Sequence, residues 1–153
     1  MSQIDLFAVE PELPAGFLYQ RDFISREDEQ TLVTAIGQLD FAQVKMRAVI
    51  AKRRVIHFGR SYEYETAAVS PAPPIPGFLA RLRQRVGELA ARDPEEFEEV
   101  LVTEYPPGAP IGWHRDAPVF DIIVGVSLLS QCTMKFRPWR WRNQRRNPGS
   151  LRV

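Results

Sequence analysis

The chain has 153 residues, of which 44% are hydrophobic and 25% charged, values that fit one globular domain with a core of its own. They exclude a disordered tail, a collagen-like fibre and a membrane span, because the longest apolar run, residues 122 to 129, is far too short to cross a bilayer. The single Cys132 excludes an internal disulfide framework, and the opening residues lack a basic segment followed by an apolar one, so the cytoplasm is the expected compartment.

The net charge of +1 hides an asymmetry. Residues 137 to 153 hold Arg137, Arg140, Arg142, Arg145, Arg146 and Arg152 and no acid, a local charge of +6. Such a segment is drawn to phosphate by Coulomb attraction and counterion release.

In chain order, residues 1 to 24 read as an irregular entry with short extended pieces. Ser25 and Asp28 have capping-box spacing, and Leu32, Ala35, Ile36 and Leu39 then share one helical face. Residues 53 to 58 read as a short strand ended by a turn at Gly59, after which Tyr62 and Tyr64 fall on one side of an extended segment. Prolines at 71, 73, 74 and 76 make a stiff connector. A second helix carries Leu79, Leu82, Val86 and Leu89 on one face and is expected to end near Asp93 and Pro94. Beyond it, residues 100 to 105 are extended and Pro106, Pro107 and Gly108 turn the chain. Residues 122 to 129, apolar at nearly every position, read as a strand buried between two layers, and residues 134 to 137 as a further short strand. Cys132 and Trp113 are expected to pack in the interior. Two helices followed by strands predict an α+β domain with helices against an antiparallel sheet.

The chemistry concentrates where the chain has one of its two histidines. His114 and Asp116 are separated by one residue, a spacing that brings an imidazole and a carboxylate to one side of an extended segment. They offer two of the three protein donors of a facial 2-His-1-carboxylate iron site. The other histidine, His57, is expected to be a satisfied strand residue.

Three stretches carry a likeness to a known family. These are residues 23 to 29, at the start of the first helix; residues 53 to 64, Arg-Arg-Val-Ile-His-Phe-Gly-Arg-Ser-Tyr-Glu-Tyr; and residues 105 to 128, with the His-Arg-Asp and the Val-Ser-Leu run. In this order, over residues 17 to 138, the chain resembles the AlkB-like Fe(II)/2-oxoglutarate dioxygenases. The resemblance implies a double-stranded β-helix, or jelly roll, with Fe(II) and the co-substrate 2-oxoglutarate at its mouth, and oxidative removal of alkyl groups from nucleobases. By the same resemblance His114 and Asp116 match iron ligands. Tyr105 matches a tyrosine that touches 2-oxoglutarate, Thr103 stands where the family has its partner asparagine, and Ser127 lines the co-substrate pocket. Arg53, Arg54, Tyr62 and Tyr64 belong to the substrate lid, arginine to phosphate and tyrosine to a base face.

The chain departs from the family after Asp116. The family takes its distal histidine and the arginines that pair with 2-oxoglutarate from later strands, whereas here 37 residues follow, none of them histidine. The expected layout is a partial jelly roll over residues 1 to 138 and a basic tail of uncertain structure over 139 to 153. Two functions are open at this point. One is a dioxygenase acting on alkylated DNA or RNA, or on a protein. The other is a truncated or catalytically incomplete homologue that binds nucleic acid or a partner. A frame change after Phe136 would account for the tail's abrupt composition.

Overall fold

The computed structural model describes residues 13–46, 49–63, 65–137 and 149–152. The chain divides into two units, Gln30–Gly125, and Met1–Glu29 with Val126–Val153.

Helix α1 (Arg26–Ile36) begins where the capping spacing predicts. The Ser25 hydroxyl oxygen accepts from the Asp28 N–H at 3.1 Å, which satisfies one of the free donors of the first turn. The Asp28 carboxylate takes the Ser25 hydroxyl proton at 2.9 Å, where a full box would have it accept from the Ser25 backbone. Three acids in the first turn, Glu27, Asp28 and Glu29, complement the helix dipole. Of the predicted face, Leu32 is buried and Ala35, Ile36 and Leu39 are half-buried.

The unit that holds residues 30 to 125 is built on a three-stranded antiparallel sheet. Strands β1 (Ala42–Met46) and β2 (Val49–Phe58) form a hairpin. Pairing with β1 extends β2 to Val49, beyond the predicted residues 53 to 58. Its other edge receives the later strand Val100–Glu104, so β2 is central. At Gly59, φ is +74° and an added Cβ would collide with the Glu98 carbonyl oxygen, so only glycine fits the turn. The Gly59 N–H and C=O are both used, to the Pro73 carbonyl at 2.6 Å and from the Ala72 N–H at 3.0 Å. The chain then makes a second hairpin, β3 (Arg60–Glu63) with β4 (Ala68–Pro71). Pro71 closes a strand of a two-stranded sheet, where a missing N–H is tolerated.

Helix α2 (Ala80–Ala90) buries Leu79, just before it, and Val86, with Leu82 and Leu89 half-buried on the predicted face. It stops three residues before Asp93 because Ala91 adopts the left-handed region, φ 52°, and the Arg92 N–H turns back to the Gly87 carbonyl at 3.0 Å. Gly87 is buried with Pro94 so close that a Cβ would lie 2.8 Å from the proline ring. Arg83 then fastens the returning chain, giving its Nε–H to the Phe97 carbonyl at 3.1 Å and another N–H to the Glu95 carbonyl at 3.1 Å. This delivers the chain into β5 (Val100–Glu104), which runs antiparallel to β2 in the register Arg54–Glu104, Val55–Thr103, Ile56–Val102, His57–Leu101.

Residues 122 to 129 are not the expected buried strand. Residues 122 to 128 take no regular structure, and Ile123 and Leu129 are 54% and 77% exposed. The run straddles the division between the units, and no strand among the described residues pairs with it, so it gains neither ladder hydrogen bonds nor a second layer. Leu129 has φ +70°, and its N–H donates to Glu29 Oε1 at 2.6 Å. In the same unit β6 (Thr133–Phe136), one residue earlier than predicted, pairs antiparallel with β7 (Gly149–Arg152), and the Phe17 and Phe136 rings meet at 4.8 Å. Cys132 is exposed, contrary to the expected core thiol, because the loop that carries it belongs to none of the sheets. The architecture is α+β, with antiparallel sheets of three, two and two strands among the described residues. No described helix is long and apolar enough to cross a membrane.

Candidate metal centre

After β5, the Pro106 carbonyl accepts from the Ala109 N–H at 2.9 Å, and Gly108 at φ +74° completes the predicted turn. The chain continues without regular structure through residues 109 to 117, and this segment brings His114 and Asp116 together. His114 Nε2 lies 3.4 Å from Asp116 Oδ1. The other ring nitrogen, Nδ1, is 2.9 Å from the Gly112 carbonyl oxygen. A carbonyl only accepts, so Nδ1 carries the proton and the lone pair of a neutral ring sits on Nε2. In that neutral ring the Nε2 lone pair and the Asp116 carboxylate are both available to a shared cation.

These donors fit a first-row divalent metal. Two ligand atoms held about 2.1 Å from one ion and at right angles to each other lie about 3 Å apart. A ring N–H given to a backbone carbonyl is the usual way a metal-binding histidine is oriented. Both side chains are open to solvent, while Ala117, the next residue, is buried and anchors the segment. No group of three or more His, Cys, Asp or Glu side chains converges among the described residues, so two protein donors are what this part of the chain supplies. His57 is engaged elsewhere, with Nδ1 2.8 Å from Glu99 Oε1, the satisfied strand histidine that its setting predicts.

The other expected site residues lie on several elements. Thr103 is half-buried on β5, and Tyr105, 48% exposed, follows directly after the strand. Ser127 is exposed and belongs to the other unit. Tyr62 is half-buried on β3, and Tyr64 lies outside the described residues, as do residues 138 to 148 of the basic segment. Arg53 and Arg54 are neighbours on β2 and so face opposite ways. Arg54 gives its Nε–H to Glu104 Oε2 at 2.7 Å, and its guanidinium lies 5.5 Å from the centre of the Phe41 ring. Trp113 is half exposed beside His114, where packing was expected. The Gly112 carbonyl, Glu99 and Glu104 are partners that no sequence motif marks.

The sequence profile of the 2OG-Fe(II) oxygenase superfamily matches residues 16–152. The chain belongs to this superfamily. Curated relatives place it among the AlkB-like members. The mouse tRNA (carboxymethyluridine(34)-5-O)-methyltransferase ALKBH8 is 28% identical over 131 residues, 82% of this chain and 20% of the relative. Its Xenopus tropicalis counterpart is 29% identical over 135 residues, 83% of this chain and 21% of the relative. The Arabidopsis thaliana alkylated DNA repair protein ALKBH8 homolog is 28% identical over 143 residues, 88% of this chain and 39% of that protein. The chain thus spans about a fifth of the length of the animal relatives it matches. No solved structure matches it. The 2OG-Fe(II) oxygenases use Fe(II) and 2-oxoglutarate, and the His114–Asp116 pair is a donor set suited to that metal.

Proposed function

We propose that the chain is the oxygenase module of an AlkB-like protein that oxidises alkyl groups on nucleic-acid bases. The observation that carries this reading is the His114–Asp116 pair, with its imidazole oriented by the Gly112 carbonyl. In this reading His114 Nε2 and an Asp116 oxygen hold Fe(II), Tyr105, Thr103 and Ser127 contact 2-oxoglutarate, and Tyr62 and Tyr64 offer ring faces to a base. Arg53 and the arginines after residue 136 meet phosphates. Fe(II) and 2-oxoglutarate, when bound, supply the oxidation of the alkyl group by O₂, with succinate as by-product. The accompanying fold is a double-stranded β-helix to which β1, β2 and β5 contribute. RNA is the favoured substrate, because the animal relatives carry tRNA in their names.

The two donors found among the described residues also support a slower variant of this reading. Loosely held iron makes the chain a better binder of nucleic acid than a catalyst. The assay supplies Fe(II), 2-oxoglutarate, ascorbate and single-stranded oligonucleotides carrying methylated bases, as RNA and as DNA, and measures succinate and repaired base. Repair that disappears in His114→Ala and stays below roughly 1 per second is expected. Affinity should fall with salt at a log–log slope near −0.7 for each phosphate contact. Oligonucleotide binding with no repair in either nucleic acid would leave the chain a binding module.

A further inference from the structure

His114 and Asp116 supply half of a coordination shell. The chain has two histidines, and the other, His57, is held through its Nδ1 by Glu99 Oε1 at 2.8 Å. No third His, Cys, Asp or Glu side chain joins the pair among the described residues. A second imidazole for the same ion therefore has to come from outside these 153 residues.

The spacing of the pair shows which coordination it suits. Two donors about 2.1 Å from one ion lie about 3.0 Å apart at the right angle of six-coordination and about 3.4 Å apart at the tetrahedral angle. His114 Nε2 and Asp116 Oδ1 are 3.4 Å apart. The pair is thus set as one half of a tetrahedral site, the geometry that Zn(II) takes with nitrogen and oxygen donors. A closed zinc site needs four protein donors, and one chain brings two.

Exposure and charge point to a second copy as the source of the rest. Both side chains are open to solvent, so another molecule can reach the same ion. Two imidazoles and two carboxylates carry −2, which cancels the charge of the ion and leaves none to be buried. Ile111, Trp113 and Val119 on the same segment are about half exposed, apolar surface that such a contact would cover. A net charge of +1 sets little repulsion between copies, and a two-fold contact presents the same residues twice.

We infer that two copies of the chain share one Zn(II), each giving His114 Nε2 and an Asp116 oxygen. The inference concerns another metal and a second copy, so it stands apart from the oxygenase reading. The two meet at one point: the same atoms would hold Fe(II), so zinc bridging and iron loading exclude each other.

The test needs no iron, 2-oxoglutarate or nucleic acid, so its failure is separate from failure of that reading. Sedimentation velocity follows the full chain, first freed of metal by a chelator and then titrated with Zn(II), while atomic absorption counts bound zinc. The sedimenting mass should double, saturate at one ion for two chains, and return when chelator is added. His114→Ala and Asp116→Asn, both at solvent-open positions, should each keep in zinc the mass they have without it. Cys132→Ser removes the exposed thiol, the other group on the surface that attracts zinc, and should pair like the parent chain. Co(II) in place of zinc should give the strong visible absorption of a four-coordinate ion. One zinc per chain with no change of mass would overturn the inference, as would association of equal extent with and without zinc. So would a His114→Ala variant that pairs like the parent, a Cys132→Ser variant that does not, or a six-coordinate cobalt spectrum.

Discussion

Gly59 and Gly108 share a φ of +74° but differ in what surrounds them, so alanine at each position separates two costs. At Gly108 nothing lies within 4 Å of the added methyl, and only the left-handed backbone is penalised, about 1 kcal/mol. At Gly59 the same penalty applies, and the methyl also collides with the Glu98 carbonyl oxygen and presses on the Ile75 side chain at 3.2 Å. Backbone must move to admit it, which adds about 2 kcal/mol by the usual cost of overpacking and brings the total to about 3 kcal/mol. For a chain of this length 1 kcal/mol moves the thermal midpoint by about 3 °C. Gly108→Ala should therefore lower the midpoint by about 3 °C and Gly59→Ala by about 9 °C, read by circular dichroism at one scan rate. Equal shifts would refute the reasoning, since they would mean that the segment through Glu98 does not pack against the turn between β2 and β3.

Ala91 holds the left-handed position at the end of α2 where glycine is usual, so Ala91→Gly should raise stability by about 1 kcal/mol in urea unfolding; a loss would contradict the helix end described. The buried hydrophobic residues among those described are few, namely Leu32, Phe58, Leu79, Val86 and Ala117. Leu79→Ala should consequently cost about 3 kcal/mol, a large share of a small total, and a change under 1 kcal/mol would place Leu79 outside the core. With so small a core and with Ile122, Ile123 and Leu129 exposed, the isolated chain should unfold below about 65 °C and tend to self-associate. A monomer melting cooperatively above that temperature would argue against it.

What the sequence disclosed was mostly local. The Ser25 cap, the two helical faces, the Gly59 turn and the Pro-Pro-Gly turn each follow from side-chain chemistry acting over a few residues. The His-x-Asp pairing was legible for the same reason, as both donors lie on one short segment. Residues 122 to 129 misled because hydrophobicity shows that a segment seeks burial but not whether a neighbour is there to bury it. Arg54 shows the same limit at the site. Its partner Glu104 is fifty residues away and is found only through the β2–β5 register. The Gly112 carbonyl that orients His114 is a backbone atom that no residue type announces.

Metal binding at His114 and Asp116 tests the central claim most directly. Titrating the full chain with Mn(II) in the presence of 2-oxoglutarate, and following bound metal by electron paramagnetic resonance, should show one site. The double variant His114→Ala, Asp116→Ala should lose that site, while its circular dichroism spectrum stays that of the parent chain. Equal Mn(II) affinity in the parent chain and the double variant would contradict the account, because the metal would then be held by other residues.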